Sequence, residues 1–373
     1  MKTLISGAGP IGRWLALRLH QAGTDVTILA RNEAYRSLQQ DGIEIVDGLT
    51  GDRLAAQVPV VDRLDPSDRY DLVVVVMHKA GRLAVCEVLA NNPHLQHILF
   101  LGNDVSGFYR FLDHLPEAKV LLGFPGAGGG WERDDLVIMD REKPNAHHGE
   151  LFIGELDGRI RDRTLQIKEL FEAADIKVSV ERDIDGWLKY HFAFMAPTVG
   201  VIFEKGGEVS AVAADRKAIH RYCRACREAG DVLRSVGYRK RQPPVFNLYY
   251  WLPRWLEPLV FNKLFGSRAG EVRFGLHART VGFELAEMAE EFAELKADAE
   301  METPNLDALL TRVERSRTEG GSRSLVSGTR RPTPEPLKES LDMPFLEASL
   351  TIGTCSAPGC KGTRDQEYEV KRR

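Results

Sequence analysis

Cysteine is scarce in this sequence, with five in 373 residues. Cys223 and Cys226 form a C-x-x-C pair, and Cys86, Cys355 and Cys360 stand apart from it. No second pair lies near enough in sequence to complete a tetrahedral set, so no metal is expected. The same scarcity argues against a disulfide scaffold and fits a reduced, cytoplasmic compartment. Long apolar runs are missing too; none reaches the roughly 20 residues of a membrane span. The chain enters its first apolar run at once, which leaves no stretch that reads as a signal peptide. Neither sign of charge is in large surplus: 50 Lys and Arg against 54 Asp and Glu give a net charge of -4. That balance points away from nucleic acid and from anionic membranes as partners. What remains is ordinary globular composition, 43% hydrophobic and 28% charged, with chain enough for two domains and a tail.

What is present is concentrated in Lys2 to Asn32. Thr3-Leu4-Ile5 reads as a buried strand, followed by Gly7, Gly9 and Gly12 in G-x-G-x-x-G spacing, a helix through Trp14, Leu15, Leu17 and Leu19, and a second strand from Val26 to Ala30. This is the length and order of a dinucleotide-binding strand-helix-strand unit. Gly7 permits the sharp turn, Gly9 lets the backbone approach a pyrophosphate, and Gly12 lets helix and strand pack closely. Pro10 and Ile11 open the helix, whose N–H groups and positive dipole end face the phosphates. The second strand ends in Arg31 and Asn32 with no carboxylate. A carboxylate there would repel a 2′-phosphate, whereas an arginine can grip it, so NADP(H) is the expected cofactor. The alternative reading of Arg31 is a solvated surface arginine.

Further along, Asp71 to Met77 (DLVVVVM) is a continuous β-branched run of the kind found inside parallel sheets. His78-Lys79-Ala80 leave its carboxyl end, where ligands bind in open α/β sheets. Lys79 is therefore a candidate for a cofactor phosphate, or else a solvated first-turn lysine. The segment 50–70 is expected to add edge strands. His97 to Leu101 gives another strand, ending in the polar loop Gly102 to Gly107. Gly123 to Gly130 reads either as a pocket-lining loop or as a mobile one. Leu136 to Met139 and Glu150 to Leu156 read as closing strands. From Asp183 to about Arg315 the periodicity is helical, interrupted by the aromatic, proline-rich segment Pro243 to Gly266. That segment is a lid, an apolar wall, a dimer surface or core packing.

The fold expected is a Rossmann-type α/β N-terminal domain with a parallel sheet (1–181), then an all-α C-terminal domain (182–316), then a disordered tail (317–373) in which Met343 to Ile352 alone suits a short element. A substrate would meet the cofactor in the cleft between the two domains.

In this order the motifs resemble the ketopantoate reductase family of NADPH-dependent 2-oxoacid reductases, from Met1 to about Arg315. GAGPIG with Arg31 resembles the family's NADPH site. Lys79 resembles its strand-end lysine, and Gly102-Asn103-Asp104 stands where the family has Gln-Asn-Gly. Asp183-Ile184 with Trp187-Leu188-Lys189 resembles its entry to the helical domain, and Thr280 to Glu284 its glutamate helix. Thr303-Pro304-Asn305 resembles its closing element. The resemblance implies that Lys189 is the general acid and that Glu284 orients it or binds a substrate hydroxyl. It implies that Asn103 contacts cofactor and substrate. Burial would be expected to lower the Lys189 pKa toward neutrality.

The implied activity is reduction of 2-dehydropantoate or a related carbonyl compound, in pantothenate biosynthesis. Ala193 and Val272 replace polar residues of the family pattern. Two alternatives therefore stay open: a reductase of a bulkier carbonyl compound, and a non-catalytic NADP(H)-binding regulator. The partner expected is a small carbonyl substrate, without nucleic acid or membrane insertion, and a homodimer is compatible with the aromatic segment.

Overall fold

The computed structural model describes residues 1–107, 109–141 and 146–320. The tail from 321 onward, with Cys355, Cys360 and the stretch Met343 to Ile352, lies outside the described residues.

The first half is built on an eight-stranded sheet. Its strands are β1 (Thr3–Ser6), β2 (Val26–Leu29), β5 (Val60–Val61), β6 (Leu72–Val76), β7 (His97–Leu101), β8 (Val120–Pro125), β11 (Glu150–Glu155) and β12 (Lys177–Val180), in spatial order β12-β11-β8-β7-β6-β1-β2-β5. The pairings run parallel except that of β11 with β8. The helices are α1 (Pro10–Gln21), α2 (Asn32–Asp41), α3 (Lys79–Ala90), the short α4 (Tyr109–Leu112) and α5 (Asp162–Glu172).

The valine run behaves as its composition requires. Leu72 and Val74 enter one apolar core, and Val73 and Val75 enter the core on the opposite face. Alternate residues point to opposite faces of a strand, so a strand covered on both sides needs apolar residues throughout. Leu4 and Ile5 of β1 divide in the same way. Edge strands expected from residues 50–70 do form, one in each of two sheets.

A second, four-stranded sheet has the order β4-β3-β10-β9, formed by β3 (Ile43–Asp47), β4 (Arg53–Ala56), β9 (Gly129–Glu132) and β10 (Asp135–Ile138). The sequence had suggested that Leu136 to Met139 closes the main sheet and that the glycines beside it form a loop. Instead Gly129 and Gly130 pair with Ile138 and Val137. A Cβ on Gly129 would stand 2.3 Å from the Val137 carbonyl oxygen. These glycines allow strands to approach, so they are structural.

The second half is helical: α6 (Ile184–Glu204), α7 (Val209–Ala214), α8 (Arg216–Ser235), α9 (Leu248–Trp251), α10 (Glu257–Phe265), α11 (Arg268–Gly270), α12 (His277–Ala299) and α13 (Pro304–Gly320). Asp183 caps α6 by accepting the Gly186 N–H at 3.0 Å. The helix expected from Val212 to Val236 breaks at Asp215, whose carboxylate accepts the Lys217 N–H at 2.8 Å and caps α8. A π-helical turn, Glu271–Leu276, precedes α12. In the aromatic segment, Phe246, Tyr249, Phe261 and Phe265 are buried in the helical core, while Trp251, Trp255 and Leu259 are exposed. Among the described residues no helix is long and apolar enough to cross a membrane.

Candidate active site

Strand order reverses between β1 and β6, with β2 on the far side of β1. That reversal opens a crevice at the carboxyl ends of β1 and β6. The glycine turn leaves β1 there, and α3 starts there after β6.

The three glycines do different work. Gly7 has φ +128°, and a Cβ on it would lie 2.1 Å from the Val76 carbonyl oxygen; a Cβ on Gly12 would lie 1.9 Å from the Gly7 carbonyl oxygen. Both are glycine because the chain itself leaves no room. A Cβ on Gly9 would meet nothing within 4 Å. Packing therefore does not demand glycine at position 9, whereas close approach of a ligand to the backbone would. Gly9 is also the N-cap of α1, with no side chain capping the helix and with Pro10 at its start, followed by Ile11. A phosphate group fits such a helix start. Arg31 is the N-cap of α2 at the end of β2. It is exposed, and among the described residues no hydrogen bond or ion pair of its guanidinium is found.

At the start of α3 the buried charges converge. Lys79 is 6% exposed, so it is not a solvated lysine. Its ammonium donates to Ser106 Oγ at 2.9 Å, pairs with the Glu291 carboxylate and lies 3.8 Å from Asp104 Oδ1. One turn on, Arg82 donates to the Asn103 carbonyl oxygen and to Glu284 Oε1 at 3.1 Å. Glu284 also accepts the Lys79 backbone N–H at 3.2 Å and lies 3.4 Å from His78 Nδ1. Its negative charge sits at the positive end of α3. The hydrogen bond to Glu284 raises the His78 pKa, against partial burial that lowers it. Glu284 and Glu291 are seven residues, two helical turns, apart on α12 and share a face.

Asn103 is 4% exposed, and its side-chain oxygen Oδ1 has no hydrogen-bond partner among the described residues. An unpaired buried carboxamide oxygen is costly unless a ligand completes it. Beside it, Asp104 is buried and accepts the Gly107 N–H at 3.0 Å. Burial raises its pKa, opposed by the positive charges of Arg82, Lys79 and Lys189.

Lys189 lies on α6. It is 3% exposed. Its ammonium donates to Asp185 Oδ1, one turn earlier on the same helix, at 2.6 Å and stands 5.0 Å from the centroid of the Tyr238 ring. The Tyr238 hydroxyl donates to Asp185 Oδ2 at 2.9 Å. Burial pushes the Lys189 pKa down, but Asp185 outweighs it, with Tyr238 and Asp104 adding to the same side, and the net shift is upward. This corrects the expectation of a lysine brought toward neutrality: Lys189 is held as a cation.

Of the residues singled out in the sequence, Lys79, Asn103 and Glu284 belong to one hydrogen-bonded cluster. Lys189 pairs with Asp185 outside that set of bonds, and the charge of Asp104 acts on it. Gly7, Gly9, Pro10, Ile11, Gly12 and Arg31 line the adjoining strand ends. Glu284 accepts from the Lys79 N–H and from Arg82, both at the start of α3. Arg82, Asp104, Asp185, Tyr238 and Glu291 were not anticipated. The spacings Asp185 to Lys189 and Glu284 to Glu291 carried two of them.

Known proteins resemble part of the sequence and the fold. Residues 3–157 match the family described as ketopantoate reductase PanE/ApbA. A 2-dehydropantoate 2-reductase of Nostoc sp. strain PCC 7120 is 25% identical over 197 residues, covering 49% of this chain and 57% of that protein. This chain thus spans under two thirds of that relative. A putative ketopantoate reductase from Ralstonia solanacearum MolK2 has a similar structure, with TM-score 0.66 and 18% identity over 86% of this chain and 98% of the other. D-mandelate dehydrogenase in complex with NADH and anilino(oxo)acetate gives TM-score 0.68 and 13% identity, covering 87% and 100%. At such identities the structural likeness is one of fold.

Proposed function

We propose that this chain, a divergent member of the ketopantoate reductase family, is an NADP(H)-dependent reductase of a carbonyl compound. The observation that carries the reading is the unpaired buried carboxamide oxygen of Asn103; the buried ammonium of Lys189, which the charge of Asp104 helps to hold as a cation, supports it.

When bound, the nicotinamide would supply a hydride to the carbonyl carbon. Gly9 and the start of α1 would hold the pyrophosphate, and Arg31 the 2′-phosphate. Asn103 Oδ1 is suited to accept from the nicotinamide amide, which places the ring. As negative charge develops on the carbonyl oxygen, Lys189 donates to it and stabilises it. The Asp185 partnership makes Lys189 a steady cation and a weaker acid, so charge stabilisation is its larger contribution and proton delivery follows the charge. Tyr238 fixes Asp185, and Asp185 fixes the ammonium. Glu284 acts at a remove: it holds the start of α3 and Arg82, which in turn holds the Asn103 backbone.

A non-catalytic NADP(H)-binding regulator would share the glycine turn but would not need a lysine buried on a carboxylate here. The test is NADPH oxidation against a panel of carbonyl compounds, with NADH as the control. Turnover with NADPH that exceeds turnover with NADH supports the reading. NADPH binding without turnover on any compound would favour the regulator.

A further inference from the structure

We propose that Arg13 is a cationic contact for the coenzyme's pyrophosphate, its guanidinium held at the start of α1 for a negative charge that the protein does not itself supply there. The inference rests on the coenzyme-binding part of the reading above and adds a residue to it.

Among the described residues the buried Lys and Arg side chains are Arg13, Arg18, Lys79, Arg82 and Lys189. All but one are ion-paired: Arg18 with Asp140, Lys79 with Glu291, Arg82 with Glu284 and Lys189 with Asp185. Arg13 is the exception. It is as buried as Arg18 on the same helix, each being 8% exposed, yet no carboxylate among the described residues pairs with it. Its Nε donates to the Ala8 carbonyl oxygen at 2.9 Å. Its guanidinium carbon stands 5.7 Å from the centroid of the half-exposed Trp131 ring, a contact that offsets only part of the lost hydration of a cation. Burial lowers its pKa, the direction of a cation taken from water without a counter-charge.

The position of that charge gives it a purpose. The side chain turns back along α1, since Ala8 precedes the N-cap Gly9. The guanidinium therefore sits at the positive end of the helix. The first turn there holds no Asp or Glu, and no side chain caps it. A cation folded back on a helix start adds to the dipole instead of offsetting it, and an unpaired buried charge is itself destabilising. Both penalties turn into attraction when an anion arrives. The approach left open at Gly9, where a Cβ would meet nothing within 4 Å, leads to the same helix start. A pyrophosphate brings negative charge to that end, and a guanidinium can give two N–H bonds to one phosphate group.

Arg13→Gln is the informative change. Glutamine Nε2 occupies the place of arginine Nε along the side chain, so it can still donate to Ala8 while the charge is gone. The variant is expected to bind NADPH about 10- to 100-fold more weakly. NADH should weaken in the same proportion, because both coenzymes carry the pyrophosphate. The coenzyme-free variant should unfold at the wild-type temperature or above it, since an unpaired buried charge has been removed. Arg13→Lys, which keeps the charge but not the fork, should fall between the two in affinity. Calorimetric titration and thermal unfolding of the full chain read these effects. Unchanged coenzyme affinity in Arg13→Gln overturns the proposal. So does a loss confined to NADPH, which would assign the contact to the 2′-phosphate, and so does a lowered unfolding temperature, which would make the arginine structural. A wild-type protein that binds neither coenzyme would sink the coenzyme reading and this proposal with it. NADPH binding that depends on Arg13 but leads to no turnover would sink the reductase reading alone.

Discussion

Glu284 Oε1 accepts the backbone N–H of Lys79 at 3.2 Å across 205 residues of chain. A helix of the second half thereby caps the helix that begins at the crevice of the first. Arg82, 1% exposed, leans on the same carboxylate. Glu284→Ala would leave that guanidinium buried and unpaired, a loss of about 3–5 kcal/mol. Glu284→Gln retains an acceptor for the N–H and is expected to be milder. Denaturant unfolding of the two variants checks the order; equal and negligible losses would remove Glu284 from this role.

His78 supplies a titration that reports the same contact. Hydrogen bonding to Glu284 raises its pKa above the ordinary 6.5. The sign follows: its charged contact with Glu284 is fully present below the unfolded value and is lost as pH rises through the higher folded value. With a side chain 64% exposed, the effect on stability is small, so the readout is spectroscopic. The His78 imidazole proton resonances should titrate with a midpoint above 6.5, and Glu284→Gln should bring that midpoint down.

Asp140 is a separate anchor of the first half. It is 1% exposed and accepts from Trp14 Nε1 at 2.7 Å and from Arg18 Nε at 2.9 Å, with His148 Nδ1 at 2.7 Å. Burial alone would raise its pKa, but the bonds from His148, Arg18 and Trp14 prevail and hold it near about 2, below the ordinary 3.8. Its contribution is therefore present above 3.8 and lost as pH falls through about 2. Asp140→Ala leaves Arg18 buried without its carboxylate, for a loss of about 3–5 kcal/mol at neutral pH. The variant should also lack the part of the acid-induced loss that belongs to this group. Thermal unfolding from neutral pH into acid measures both.

Arg31 is exposed and is expected to act only on the cofactor. Arg31→Ala should weaken NADPH by about 10- to 100-fold, the value of a charge-assisted hydrogen bond, and leave NADH within a few-fold. Calorimetric titration with each coenzyme decides it. Equal losses for both would assign the arginine a different task.

The sequence carried the frame of the molecule because local rules set it. The glycine spacing demanded a turn where Gly7 and Gly12 have no room for a side chain. The valine run demanded cover on both faces, and the two cores provide it. Burial of Lys79 was not readable, because its carboxylate partner Glu291 lies 212 residues away. A separation of 205 residues hid the reason for Glu284, which looked like one member of a solvated acidic face. Gly129 and Gly130 looked like loop because nothing local announces that β10 will lie against them. The pKa direction of Lys189 was open to inspection and went the other way: Asp185 stands one turn before it, and a carboxylate at that distance outweighs burial.

Lys189→Ala should lower turnover by about 10² to 10⁴ and leave NADPH affinity near that of the wild type. Asp185→Asn should lower turnover less and move the alkaline limb of the pH profile to lower pH, since the carboxylate is what raises the lysine. Unchanged turnover in Lys189→Ala would exclude the lysine from the chemistry.

The most direct measurement is a crystal structure of the protein with NADPH. The pyrophosphate is expected on the backbone at Gly9, the 2′-phosphate on Arg31 and the nicotinamide amide on Asn103 Oδ1, with the reacting face of the ring turned toward Lys189. A pyrophosphate elsewhere, or a nicotinamide turned away from Asn103 and Lys189, would contradict it.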